Sequence, residues 1–417
     1  MHALLCRVDD IVAGWYLTVP VGLAVVAGFG WQLPRLSRRA RWAARSLFLL
    51  GLLPFLWFLA LVLRKNELVG AYSYLLKFSP YLTVFYWLTI VRNRGVSSLA
   101  TSVKVLAAVL GIRHIAVFLF PGALGEKAPK ALYDATFVYG FVGTVPRVFG
   151  PGMMLLGLAA ILYLGDWTRR RLTIPGYAGL AVAILASATT LTRGVLLVEL
   201  AGGIGILSVR AWHTKGHLRL TTVVGATAVL LLVGSLLWLA GSNSLENLAP
   251  DAGDRLSLDT RTFDWRLAQV DRAFSLSDQW WGNPLFGVGP QTFIRNDANS
   301  RVPDTNELHY SFLSVLWTFG AVGLVLLLWP LAVAALLGRR MAFSGGHLTE
   351  WYIGLWMFIV QGLYTGTFTE VGSALGVTLC VAAILGSRPH RNSLRLVYAG
   401  MPRKAAAGPA GAVSAVR

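Results

Sequence analysis

The chain is short of charge. Only 13% of its 417 residues are Asp, Glu, Lys or Arg, while 55% are hydrophobic and the mean hydropathy is +0.61. Soluble domains carry about 25% charged residues, so a soluble globular domain is excluded. Acidic residues are the scarcest charge: 19 Asp and Glu stand against 37 Lys and Arg, a formal +18. Cysteine is nearly missing. Cys6 and Cys380 sit at opposite ends of the chain and form neither a metal motif nor a redox motif. Short alternating strands are not visible, which excludes a transmembrane barrel. No internal repeat is visible either. The first apolar run follows Asp9 and Asp10 with no basic segment before it. A cleaved signal peptide is therefore not expected, and the first span is expected to remain in the mature protein.

Apolar runs of roughly 20 residues, long enough to cross a bilayer, recur along the chain. Backbone groups in hydrocarbon must be satisfied within the segment, so these runs predict helices. The expected fold is all-α, a polytopic membrane protein of about 11–12 transmembrane helices. Span cores fall at 11–33, 46–63, 70–91, 101–121, 150–166, 173–191, 194–209, 220–240, 310–336, 350–366 and 371–387. The basic loops "RLSRRARWAAR" (35–45), "RNR" (92–94), "RRR" (169–171), "RAWHTKGHLR" (210–219), "GRRM" (338–341) and "RPHRNSLR" (388–395) all then fall on one side. Positive loops mark the cytoplasm, so the N-terminus is expected outside and the C-terminus inside. The basic surplus is thereby explained by topology. The partner it implies is the lipid bilayer, with no nucleic acid. Residues 1–394 read as one transmembrane domain, and 395–417, rich in Ala and Gly, as a disordered cytoplasmic tail.

Two long loops face the other side, at about 122–149 and 241–309. In the second, "DTRTFDWRLAQVDRAFSL" (259–276) places Phe263, Leu267, Val270 and Phe274 at helical spacing. "NPLFGVGP" (283–290) follows as a turn. The expectation is a helical cap on the outer face.

Some charges are not explained by topology. Arg193, in "TTLTRGVLLVEL", stands at a tight break between two apolar runs. A charge buried in the membrane costs a few kcal/mol and defaults to function; snorkelling to the interface is the ordinary alternative. Arg147 in "VPRVFGPG" precedes the fifth span, and Arg261 and Arg266 flank Trp265 on the cap helix. Each reads either as a phosphate contact or as an interfacial or solvated cation. Arg113 and His114 lie inside the fourth span. There Arg113 either faces a wet cavity or pairs with a carboxylate such as Glu199 or Glu370; Lys77 in "YLLKFSPYL" poses a similar question. His309 opens the ninth span, in "DTNELHYSFLSVLW". Guanidinium groups fork onto phosphate oxygens, and a histidine titrates near neutral pH and accepts protons. Together they point to a lipid-linked phosphate or diphosphate met at the interface. Asp304 and Glu307 are the carboxylates near His309 and no external Asp-x-Asp pair occurs, so no metal and no cofactor is expected.

These segments resemble the bacterial O-antigen ligases and polymerases. "TLTRGVLL" is similar to their Ser/Thr-Arg-Gly segment. "TRTFDWRLAQVDRAF" followed by "NPLFGVGPQTF" is similar to their Arg-x-x-x-Trp helix and glycine-rich turn. "ELHYSFLSVLWTFGAVGLVLLL" is similar to their His-x-x-x-Leu segment with a later Gly-x-x-Gly. "RVFGPGM" loosely matches an Arg-x-x-Gly before a span. Tyr310 stands where Asn usually follows the histidine, and Pro151-Gly152 replaces a usual Pro-Asn. The resemblance covers roughly residues 140–340. It implies a GT-C-like membrane glycosyltransferase, metal-independent and inverting, in the bacterial inner membrane with its site facing the periplasm. The implied donor is an undecaprenyl diphosphate-linked glycan. A ligase moves that glycan onto lipid A–core; a polymerase moves it onto the next lipid-linked repeat unit. The roles implied are Arg193 and Arg261 on the donor diphosphate and His309 as general base. Arg147 and Arg266 would be further phosphate contacts, with Arg113, Glu307 and Tyr310 as substrate contacts. The single long cap favours the ligase. Arg266 and Gly282 also fit the Arg-x15-Gly spacing of polymerase loops. A lipid-linked glycan transporter is the reading outside this class.

Overall fold

In a computed structural model of the protein, the described residues are 36–63, 69–119, 138–142, 145–149, 152–189, 193–213, 270–271, 273–274, 283–289, 308, 310–342, 347–363, 368 and 371–387. They are helical apart from turns and one short hairpin. The helices are α1 (Arg38–Leu63), α2 (Val69–Leu82), α3 (Val84–Arg94), α4 (Val96–Leu119), α5 (Met153–Thr168), α6 (Ile174–Thr189), α7 (Arg193–His213), α8 (Ser311–Ala342), α9 (Leu348–Gly362) and α10 (Val371–Gly386). Each predicted span that falls on described residues coincides with helix. The chain is an all-α polytopic membrane protein. Among the described residues, α1, α4 and α8 contain stretches long and apolar enough to cross a membrane unaided, and α5, α6, α7 and α10 contain shorter apolar stretches. The predicted spans 11–33 and 220–240 and the tail 395–417 lie outside the described residues.

The structure departs from the predicted pattern in three places. The span expected at 70–91 is two helices. Pro80 has no N–H to donate within α2, and the chain turns at Thr83, whose N–H and hydroxyl both donate to the Pro80 carbonyl at 3.1 and 2.6 Å. Trp87 Nε1 donates to the same hydroxyl at 2.9 Å. Next, part of the loop expected at 122–149 is a hairpin, β1 (Val138–Val142) against β2 (Val145–Phe149), antiparallel, with Arg147 opposite Gly140. β-branched and aromatic residues on either side of Gly143-Thr144 suit a strand pair, but five-residue strands are too short to stand out in hydropathy. Finally, α8 is broken at Gly320, whose φ of 65° and ψ of −164° are not helical.

Close contacts at glycines fix the direction of each helix. Gly157 of α5 lies against Glu199 of α7, and Gly202 of α7 lies against Ile161 of α5. These two helices therefore run parallel. Gly165, near the end of α5, lies against Glu350, near the start of α9, so α9 runs antiparallel to α5. Gly338, near the end of α8, lies against Tyr352 of α9 and Ile384 of α10. Hence α8 and α10 run together and opposite to α9. The starts of α5, α7, α8 and α10 share one end of the bundle. The ends of α4 and α6 join them there, because Leu110 of α4 lies against Gly152 and Ser187 of α6 donates to Glu199 at 3.0 Å. β2 leads into this same end and packs on α4 and α6. The buried core between the ends is aromatic and aliphatic, with Phe78, Tyr81, Phe319, Trp351 and Phe358 fully enclosed.

Candidate active site at the start of α8

Gly320 sits mid-span in α8, and the break there changes where four backbone groups find partners. In an unbroken helix, Ala321 and Val322 would donate to the carbonyls of Trp317 and Thr318. Here Ala321 N–H donates to Pro284 and Val322 N–H to Leu285, both at 3.0 Å. The freed carbonyls accept from the same segment, Trp317 from Val288 at 2.9 Å and Thr318 from Gly289 at 3.0 Å. The turn 283–289 is thus inserted into the break, and four bonds between the two segments replace two helical ones. The four backbone groups released at the break are thereby paired, where leaving them bare in hydrocarbon would cost several kcal/mol each.

Only glycine permits this joint. Gly287, Gly289 and Gly320 have φ of +74°, +88° and +65°, a region L side chains rarely adopt. A Cβ on Gly320 would collide with the Leu285 carbonyl, and one on Gly287 would collide with the backbone of Thr318 and Gly320. Gly289 is also close to α1, where an added Cβ would lie 3.2 Å from the Trp57 ring. The glycines of "PLFGVG" and "FGAVG" are therefore parts of one backbone contact.

The cap segment docks beside this joint. Residues 270, 271, 273 and 274 are helical. Ala273 is buried with Leu308 and Trp317, and Val270, Phe274, Val288, Leu313 and Leu316 pack around them. Phe274 meets Trp317 edge to face, with ring centroids 5.8 Å apart. Of the four residues whose spacing predicted a helix over 259–276, Val270 and Phe274 are helical and pack in this cluster, while Phe263 and Leu267 lie outside the described residues.

The first turn of α8 is anchored from the opposite side. Ser311 Oγ accepts from the Phe368 N–H at 3.0 Å, and the Phe368 carbonyl accepts from the Tyr81 hydroxyl at 2.9 Å. The Phe312 and Phe368 rings pack at 4.8 Å. The connection between α9 and α10, the end of α2 and the start of α8 are thereby held together.

The predicted site residues fall as follows. Arg193 is the first residue of α7, and Arg147 lies in the middle of β2. By the helix directions above, both backbones are at the same end of the bundle as the start of α8. Arg113 is half-buried on α4, six residues from its end at that same side. Tyr310 immediately precedes α8 and is half-buried. Its hydroxyl is buried and has no hydrogen-bond partner among the described residues. His309, Glu307, Arg261 and Arg266 lie outside the described residues; in sequence, His309 stands between the buried Leu308 and Tyr310.

The opposite end of the bundle holds a charged cluster that the sequence reading did not single out. Asp166 of α5 takes ion pairs from Lys104 of α4 and, at 2.9 Å, from Arg169. Arg169 also reaches the fully buried Glu350 of α9 at 2.5 Å. Gly165 leaves room for that carboxylate. His347 Nε2 lies 3.3 Å from Arg171. A cavity of about 110 Å³ opens among these side chains. Burial, and then the Arg169 guanidinium, push the His347 pKa down, against a weaker upward pull from Glu350. This cluster lies at the "RRR" end of the bundle. The signal available in sequence was Asp166 and Glu350, lone acids in apolar runs, each close to basic residues.

Fold and joint together define a multi-pass helical membrane protein whose long loop is spliced into a broken span. Residues 178–328 match the family model described as O-antigen ligase. Over that segment the chain is similar to the O-antigen ligase and polymerase superfamily of glycosyltransferase-like membrane enzymes. The match runs from α6 through the cap into α8, so it takes in Arg193, Arg261, Arg266, His309 and the glycine joint. No curated protein matches the chain at a significant level.

Proposed function

We propose that the protein is an O-antigen ligase, transferring an undecaprenyl diphosphate-linked polysaccharide to lipid A–core at the periplasmic face of the inner membrane. The observation that carries this reading is the docking of the cap helix and the glycine turn onto the start of α8, the segment in which His309 stands, within the stretch matched by the family. In the proposed step, His309 takes the proton from an acceptor sugar hydroxyl. The hydroxyl oxygen attacks the anomeric carbon of the donor from the face opposite the diphosphate. The bond from that carbon to the diphosphate oxygen breaks, and undecaprenyl diphosphate leaves with the electron pair, so configuration inverts. Arg193 and Arg261 stabilise the charge gathering on the diphosphate, and Arg147 and Arg266 add further cationic contacts. Arg113, Glu307 and Tyr310 complete the substrate contacts. Diphosphate is a good leaving group, so this scheme uses neither a general acid nor a metal. The docked cap keeps water from competing with the acceptor.

Purified protein in detergent or nanodiscs, given lipid-linked glycan and lipid A–core, is expected to yield one defined transfer product. His309→Ala and Arg193→Ala are each expected to lower that rate by a factor of about 100 or more. Transfer that persists at the wild-type rate in His309→Ala overturns the base assignment. The Arg266 to Gly282 spacing supports a second reading, a polymerase using the same donor. A ladder of products on undecaprenyl diphosphate, with no product on lipid A–core, would select it.

A further inference from the structure

Among the described residues, helix hydroxyls commonly donate to the carbonyl one turn back. The fully buried Thr378 and the half-buried Thr89 and Ser387 each donate to the carbonyl four residues earlier, at 2.7, 2.9 and 2.6 Å. Ser314 does not. It is fully buried, its N–H donates to the Tyr310 carbonyl at 2.7 Å, and yet its Oγ has no hydrogen-bond partner among the described residues. The Tyr310 hydroxyl, buried as well, has none either. These residues are four apart at the start of α8, so their side chains rise from one face of the helix. Ser311, between them, has its hydroxyl committed to Phe368. The neighbouring face carries Leu313 and Trp317, where the cap helix docks.

A buried hydroxyl without a partner is destabilising, and such groups in native structures call for an explanation. Two of them a helical turn apart, beside a docked cap, mark a place where something polar binds. Each hydroxyl both donates and accepts, which suits another hydroxyl. We propose that Tyr310 and Ser314 form a subsite for a sugar hydroxyl of the donor or acceptor glycan. The proposal rests on the glycosyltransferase reading for the identity of the ligand. It adds Ser314, which no motif marks, and gives Tyr310 a definite partner chemistry.

The test compares wild type with Tyr310→Phe and Ser314→Ala by thermal shift and by steady-state kinetics. The probes are undecaprenyl diphosphate-linked oligosaccharide, undecaprenyl diphosphate without glycan, and core oligosaccharide. Removing an unpartnered hydroxyl is expected to leave the Tm without ligand unchanged or higher. The shift induced by one glycan-bearing probe is expected to shrink, and KM for that substrate to rise about tenfold. The shift from undecaprenyl diphosphate alone stays as in wild type. Which probe is affected tells donor from acceptor. Wild-type shifts and KM values with every probe overturn the subsite, as does a fall in the Tm without ligand, which signals a merely structural role. Failure of the parent reading looks different: wild type would transfer no glycan at all, while the glycan-induced shift would still be lost in the two variants.

Discussion

Gly320 and Gly287 meet backbone to backbone, so a methyl group on either has no space and the wrong φ. A left-handed conformation costs an L residue roughly 1–2 kcal/mol before any collision is counted. Gly320→Ala is expected to lower the Tm measurably and cut transfer at least tenfold, because the turn must leave the break. Gly205→Ala in α7 serves as the control. Its Cβ would make ordinary 3.6 Å contacts with Ile353, and alanine favours the helix by up to about 1 kcal/mol, so its Tm should hold or rise. The proposed base carries its own pH signature. His309 must be neutral to accept a proton, so under the proposed mechanism the rate should fall as pH drops through the ordinary histidine pKa of about 6.5. A pH profile level from 8 to 5 would count against it. At this scale the sequence marks Gly287, Gly289, Gly320 and His309 through motifs. It leaves Ser314 unmarked, because a serine in an apolar helix looks like any other until its partners are known.

At the scale of elements, the apolar runs were legible because lipid demands self-satisfied helices of a set length. Helix breaks were less so. Pro80 hints at the turn between α2 and α3, but hydropathy runs straight through it. The break in α8 is invisible to hydropathy altogether, since the groups that repair it come from residues 284–289. The cap helix shows the reverse case. Its helical period was readable from the spacing of Val270 and Phe274, and its seat on Trp317 follows from the contacts. Phe274→Ala removes one ring of that seat and is expected to loosen the cap by about 1–3 kcal/mol. Limited proteolysis within 241–309 should speed up accordingly, with the Tm of the membrane helices little changed.

Across the whole molecule, the two ends of the bundle are chemically distinct. One gathers the joint, the hairpin and the starts of α5, α7, α8 and α10. The other ties α4, α5 and α9 through Lys104, Asp166, Arg169 and Glu350. Glu350→Ala would leave the half-buried Arg169 with Asp166 as its remaining carboxylate among the described residues, and is expected to cost about 3 kcal/mol, read as a drop in Tm with little change in KM. His347 adds a pH dependence there. Its depressed folded pKa means the unfolded chain takes up a proton more readily. Stability is therefore full above the ordinary histidine pKa and declines as pH falls below it, levelling off beneath the folded value. The Tm difference between pH 7.5 and 5 should be smaller in His347→Gln than in wild type.

The splice between residues 283–289 and α8 also ties two distant parts of the chain into one mechanical unit. Because that stretch shares backbone bonds with a span, it moves with α8, like a hem stitched into the cloth it edges.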